Sequence, residues 1–280
     1  MSAAEIVLVV FGTIGFAAIG SFTAVIIDRL PLALDEPNQY GELWDTKPWS
    51  QVLGGHSRCS SCGQAVGPLH NIPIFSWLAL RGKCKNCSEP IPAYLLAVET
   101  ASPILFLLAV WSLGADWRLL PAIWFIPVAL AVTVIDIQTF MVPTRIVWPA
   151  FFVSVGLSIL SAGLEAEWRW LLGGLIGIAV LAGPLFAIWF AFPRGMGFGD
   201  VRLATLVGFN VGFFAGVGRL DAVMLSILAL AIASLVGIIL GFAALGVRGR
   251  KAKVPFGPPL LAAGYFCMLL APQILSPFGF

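Results

Sequence analysis

Two carboxylates stand at the edges of strongly apolar runs. Asp200 closes Gly195-Met196-Gly197-Phe198-Gly199-Asp200, and Asp136 follows Leu130-Ala131-Val132-Thr133-Val134-Ile135. Two acids, each carried by its own helix to one membrane boundary, are the minimum equipment for a dyad that activates water. If they meet, their charges repel and desolvation raises at least one pKa, so the pair shares a proton. One carboxylate then acts as base on water while the other, protonated, polarises a peptide carbonyl. Each acid also has a plain structural use. Asp136 could snorkel at the boundary, and Asp200 could cap the helix that follows its glycine-rich turn. An ionised carboxylate at mid-bilayer costs roughly 2.5 to 3.5 kcal/mol, so neither position is indifferent. The glycines at 195, 197 and 199 allow backbone to approach closely, to another helix or to an extended substrate.

The second constellation is sulfur. Cys59-Ser60-Ser61-Cys62 and Cys84-Lys85-Asn86-Cys87 are two C-x-x-C knuckles with 21 residues between them. That spacing suits one tetrahedral zinc site closed by four thiolates. The alternative is thiol exchange, for which a lone C-x-x-C at a helix start is the usual arrangement. A four-sulfur site leaves no open position for catalysis, so the expected zinc is structural, holding a small domain together. His56 and His70 flank the first knuckle and are expected at the surface or in packing. Cys267, in an apolar run, reads as a small core residue.

The elements that must position these groups follow from composition. Apolar residues make up 59% of the 280-residue chain and charged ones 11%. With a mean hydropathy of +0.97, this describes an all-α polytopic membrane protein. A span takes about 20 apolar residues, and the chain offers about eight such stretches. They lie near 5–27, 94–113, 119–136, 146–163, 170–192, 201–217, 222–246 and 255–275, the sixth being short and glycine-rich. With eight spans, Arg29, Lys47, Arg58, Arg81, Lys83, Lys85, Arg145, Arg194, Arg202, Arg248, Arg250, Lys251 and Lys253 fall on one side. Arg118, Arg169 and Arg219 fall on the other. The first side is therefore expected in the cytoplasm and the N-terminus outside. Both acids then open on the cytoplasmic face.

Three regions follow: a first transmembrane helix at 1–27, a cytoplasmic zinc-knuckle insert at 28–93, and a transmembrane bundle at 94–280. No basic residue precedes the first apolar run, so it is read as a retained helix rather than a cleaved signal. Glu99, about one turn into the second span, is expected to bond the insert or the first helix, with a role at the substrate amine as the alternative. Trp111, Trp117, Trp148, Trp168 and Trp170 are expected as interfacial anchors.

The residues also carry a resemblance. Gly20-Ser21-Phe22, Arg29-Leu30-Pro31, Ser57-Arg58-Cys59 through Cys62, Asn71-Ile72-Pro73, Ser76-Trp77-Leu78 and Arg81-Gly82-Lys83-Cys84 come first in order. Val98-Glu99, Ile135-Asp136, Gly195 through Asp200 and Pro255-Phe256-Gly257-Pro258 follow. In this order they resemble the type IV prepilin leader peptidases, membrane aspartic proteases of the GxGD class. The resemblance covers almost the whole chain. It implies that Asp136 and Asp200 are the catalytic pair. It further implies that the substrate is the short basic leader of a type IV prepilin or type II secretion pseudopilin, cut at the cytoplasmic face of the bacterial inner membrane.

Many such enzymes also methylate the new N-terminal amine with S-adenosylmethionine, and the knuckle insert accompanies that activity. Four departures are visible. Ala24 stands where an Asn commonly follows, Tyr94-Leu95 where Arg-Tyr is expected, Thr144 where an Asp usually follows Pro143, and Arg202 where Lys is usual. The third leaves Asp136 as the only carboxylate of its segment. Prepilins or pseudopilins and the lipid bilayer are the expected partners, and nucleic acid is not expected. Two rival classes are a proton-coupled transporter, which would use the acids as a relay, and a non-catalytic assembly scaffold. The chain shows no inverted repeat to favour transport, and transport does not explain the insert.

Overall fold

Helix dominates the structure, a computed structural model that describes residues 3–34, 44–59, 61–67, 71–114, 116–193, 195–216, 218–248 and 254–275. His70, Arg194, Arg250, Lys251 and Lys253 lie outside the described residues. The chain divides into two compact units, Met1–Leu108 and Ala109–Phe280.

The first unit contains α1 (Ala3–Arg29) and most of α4 (Ala93–Leu113), with the knuckle-bearing segment between them. The two long helices approach where side chains are absent. A Cβ on Gly12 would fall 2.1 Å from Phe106 Cζ, and one on Gly20 would fall 2.9 Å from Ser102 Cβ. Phe16 stacks on Phe106 at 4.6 Å, and Ser102 Oγ donates to the Phe16 carbonyl at 2.7 Å. In lipid, where apolar contact gives no advantage over acyl chains, close approach and such a bond hold helices together.

Between them run a short antiparallel ribbon of β1 (Pro31–Ala33) and β2 (Trp44–Thr46), then α2 (Trp49–Leu53) and α3 (Phe75–Ala79). The ribbon, with the isolated antiparallel bridges Arg58–Ala65 and Lys83–Pro90, departs from an all-helical chain. Arg29, at the end of α1, donates to the carbonyls of Val52, Gly54 and His56 and so fixes how the chain returns.

In the second unit, α6 (Thr144–Leu164), α7 (Arg169–Ala191), α9 (Arg219–Arg248) and α10 (Gly257–Leu275) pack around α8 (Phe198–Phe214), and α5 (Leu119–Thr139) packs on α6 and α10. Among the described residues, seven helices are long and apolar enough to cross a membrane: α1, α4, α5, α6, α7, α9 and α10. The eighth expected stretch, 201–217, is α8, and it has only 17 residues. It rises about 25 Å, less than the roughly 30 Å of hydrocarbon. The shortfall is tolerable because nearly all of its residues from Val201 onward are buried against other helices rather than lipid.

Glycines set the tightest of these contacts. Gly173 and Gly177 of α7 meet Gly208 and Gly212 of α8, and a Cβ on Gly177 would fall 2.0 Å from the Gly208 carbonyl oxygen. Two small-xxx-small faces thus bring backbones together. Trp111 is 79% exposed, as an interfacial anchor should be, but Trp170 is 8% exposed. It packs edge-on against Phe213 and lies under the Arg118 guanidinium, so it belongs to the core.

Candidate active site

Asp136 lies one turn inside the end of α5, which continues to Thr139 rather than stopping at the acid. The helix closes on Phe140, whose φ of 55° is left-handed and whose N–H reaches the Asp136 carbonyl at 2.9 Å. Thr139 Oγ1 donates to Ile135 O and accepts from the Met141 N–H, turning the chain toward Pro143 and α6. Asp136 is therefore 4% exposed and is no snorkelling residue.

Asp200 occupies the first turn of α8, but it is not the cap. That position belongs to Gly197, which has no side chain to offer, and the Asp200 N–H itself bonds the Gly197 carbonyl at 3.2 Å. The carboxylate is left to favour the helix dipole and to face its neighbours. A Cβ on Gly199 would fall 2.9 Å from Val142 Cβ, so the loop from α5 to α6 lies directly against the turn that carries Asp200. Asp136 is close enough to Asp200 for the two charges to interact. The structure thus brings together the two acids singled out in the sequence.

A third group completes the arrangement. The backbone N–H of Gly257, first residue of α10, donates to Asp136 Oδ2 at 3.0 Å. A Cβ there would fall 2.6 Å from Oδ2 and 3.3 Å from Leu203 Cδ2, one turn past Asp200. Pro258 and Pro259 follow and have no N–H, and the Leu260 N–H is taken by the Phe256 carbonyl. The donors of this helix start are thereby accounted for, with one aimed at the acid. The Pro-Phe-Gly-Pro run was visible in the sequence, but a partner 121 positions away was not.

In the first unit the four Sγ atoms of Cys59, Cys62, Cys84 and Cys87 lie within 4.8 Å of one another. The Cys59 and Cys87 sulfurs are 3.8 Å apart, the edge expected of a tetrahedron with metal–sulfur bonds of about 2.3 Å. The two knuckles repeat one backbone design. Cys59 N–H bonds Gln64 O and Gly63 N–H bonds Cys59 O; Cys84 N–H bonds Glu89 O and Ser88 N–H bonds Cys84 O. Gly63 and Ser88 both take positive φ, 70° and 61°. Backbone N–H groups of Cys62 and Ser61 hold the Cys59 thiol down to about 6. Although the Glu89 amide lowers it, desolvation and the three neighbouring thiols push Cys87 up to about 12. Four sulfurs this close can bind a metal. His56 is exposed and stands outside it.

The same unit holds a cavity of about 870 Å³ whose lining includes Asp28, Trp77, Glu89, Glu99, Cys59 and Cys84. The Trp77 Nε1–H is buried without a partner. Glu99 Oε2 accepts the Ile74 N–H at 2.7 Å, which makes it a support of the insert. Tyr94 donates to Asp28 at 3.1 Å. Ala24 and Leu95, two of the departures noted in sequence, also line this cavity.

Comparison with known proteins gives a consistent result. The bacterial peptidase A24 N-terminal domain model matches residues 14–113, and the type IV leader peptidase family model matches residues 123–242. A prepilin leader peptidase/N-methyltransferase of Stutzerimonas stutzeri is 32% identical over 279 residues, covering 93% of this chain and 90% of the relative. One from Aeromonas hydrophila is 30% identical over 272 residues, covering 91% and 88%. One from Xanthomonas campestris is 31% identical over 261 residues, covering 88% and 86%. No solved structure matches the chain.

Proposed function

Since the chain belongs to the type IV leader peptidase family, we propose that it removes the leader of type IV prepilins or type II secretion pseudopilins with Asp136 and Asp200 as its catalytic pair. The observation that carries this reading is the meeting of those two charges beside the Gly257 N–H. A donor stabilises a carboxylate, so Asp136 is the ionised member and takes a proton from water. Asp200, with a like charge beside it, carries the shared proton and donates to the scissile carbonyl oxygen. Water oxygen bonds to the carbonyl carbon, the C–N bond breaks, and the amine leaves with a proton from the pair. A helical peptide bond is closed to such attack, so the substrate must be extended at the cut.

Residues 94–280 would perform this step, with 1–27 as the first span and 28–93 as the cytoplasmic insert. The expected setting is the bacterial inner membrane with the N-terminus outside. Cys59, Cys62, Cys84 and Cys87 would hold zinc as a structural ion, consistent with four sulfurs within 4.8 Å of one another. The cavity beside them fits S-adenosylmethionine: the orphaned Trp77 N–H offers a donor, and Asp28 and Glu99 offer negative charge to a sulfonium. Bound there, the cofactor would supply a methyl group to the new N-terminal amine.

The test is incubation of purified protein with a prepilin. Asp136→Asn and Asp200→Asn should each lose leader cleavage. Full cleavage by both variants would end the protease reading and return the acids to a relay or a scaffold. The mass of the processed N-terminus, with and without S-adenosylmethionine, reads methylation separately.

A further inference from the structure

Away from the acid pair, the second unit carries a cleft of about 340 Å³ between α6, α7 and α8. Its floor is Ala179, Ala182 and Gly183, and its walls include Trp148, Phe186 and Phe198. A Cβ on Gly183 would meet nothing within 4 Å, so the floor is open. Ala179, Gly183 and Phe186 are exposed on a membrane-spanning helix, which turns the cleft toward acyl chains.

One end of the cleft is cationic. Arg202 stands there with its guanidinium 5.2 Å from the Phe198 ring centroid, and its Nη1 donates to Thr144 Oγ1. Arg145, exposed in the first turn of α6, lies three positions before Trp148 and hence on the same side of that helix. An apolar slot two helical turns long with the Arg202 guanidinium in its lining, and with exposed Arg145 one turn before Trp148 on the same helix, has the polarity profile of a glycerophospholipid. The chain would lie along the small-residue floor, and the guanidinium forks match phosphate oxygens.

We propose that this cleft binds an anionic phospholipid of the leaflet on which Asp200 opens. Charge selects lipid over peptide here. A basic leader arriving at this face is repelled by Arg145 and Arg202, whereas an anionic head group is drawn in. Arg202 follows Asp200 by two positions and is tied to Thr144, so a bound head group would stiffen the segment that carries the acid.

The experiment is native mass spectrometry of the full-length protein in detergent, titrated with phosphatidylglycerol or phosphatidylcholine. The expected result is preferential retention of phosphatidylglycerol, weakened by salt and reduced about fivefold by each of Arg202→Gln and Arg145→Gln. Arg202→Lys should keep part of the preference, because it retains the charge but loses the planar fork. Ala179→Leu, which fills the floor, should lower retention of both lipids. Equal retention of the two lipids, or an unchanged preference in the two Gln variants, overturns the proposal. If Arg202→Gln fails to fold, exposed Arg145→Gln carries the same test. If Ala179→Leu leaves lipid retention intact but lowers prepilin cleavage, the cleft takes the substrate helix and the lipid site is wrong. Lipid retention is read without catalysis, so its failure leaves the peptidase reading standing.

Discussion

The Gly257 N–H and the Asp136 carboxylate are joined at 3.0 Å across 121 positions of sequence, with no room for a Cβ between them. Gly257→Ala must push α10 away from the acid or displace the carboxylate. Misplacement of a reacting group by about 1 Å costs on the order of 100-fold in rate. The expected outcome is a loss of that size in kcat for leader cleavage, with an unfolding midpoint little changed. A variant cleaving at the normal rate would remove Gly257 from the mechanism.

Trp77 makes the opposite kind of prediction. Its buried Nε1–H has no partner, and a buried unsatisfied donor costs about 1 to 3 kcal/mol. Trp77→Phe removes the donor and keeps a ring over Gly82, whose own Cβ would fall 2.7 Å from the indole. The protein without cofactor should be as stable as before or more so, while calorimetric affinity for S-adenosylhomocysteine falls about tenfold. Unchanged affinity together with lower stability would mean that the indole serves packing alone.

The interface of α7 and α8 gives a paired comparison. Gly177→Leu drives a side chain into the Gly208 carbonyl and should destabilise the protein by more than about 3 kcal/mol, the upper end of ordinary overpacking. Gly156→Ala on α6, where a Cβ meets nothing within 4 Å, should be neutral or slightly stabilising. Thermal melts in detergent report both. Equal midpoints would mean that the backbones are not in contact there.

For the sulfur cluster, elemental analysis should find about one zinc per chain. Strong chelation or Cys84→Ser should remove it and expose the insert to limited proteolysis. Cleavage of the same segment at the same rate with and without metal would deny the ion a structural role.

Groupings that are local in sequence could be read from it. Asp136, Asp200 and the two knuckles announce themselves by residue type and by neighbours a few positions away. What stayed hidden depends on distant partners. Gly257 lies in a legible motif, but its bond to Asp136 is made by the packing of α10 on α5. The small-residue pairs at 173 and 177 and at 208 and 212 are each visible, yet only the fold shows that they face one another. Hydropathy gave α8 as a short, ambiguous span because it measures contact with lipid, whereas this helix is lined by other helices. Asp136 was placed at a helix end because apolar character stops there. The backbone runs on to Thr139, since Thr139 and Phe140 supply the capping bonds. Trp170 was misplaced for a related reason: an aromatic near a span end points outward only if no neighbour covers it.

Ile74 carries a consequence for biogenesis. It sits at φ 67° and ψ −55°, the centre of a turn in which the Phe75 N–H reaches back to the Pro73 carbonyl at 2.7 Å. A β-branched residue held there costs about 1 to 3 kcal/mol, and its N–H is met by Glu99 of α4. The segment that carries Ile74 is synthesised before that carboxylate. The turn at Ile74 therefore gains its partner only once the start of α4 has been made, so the order of the chain delays completion of this turn until the next helix is in place.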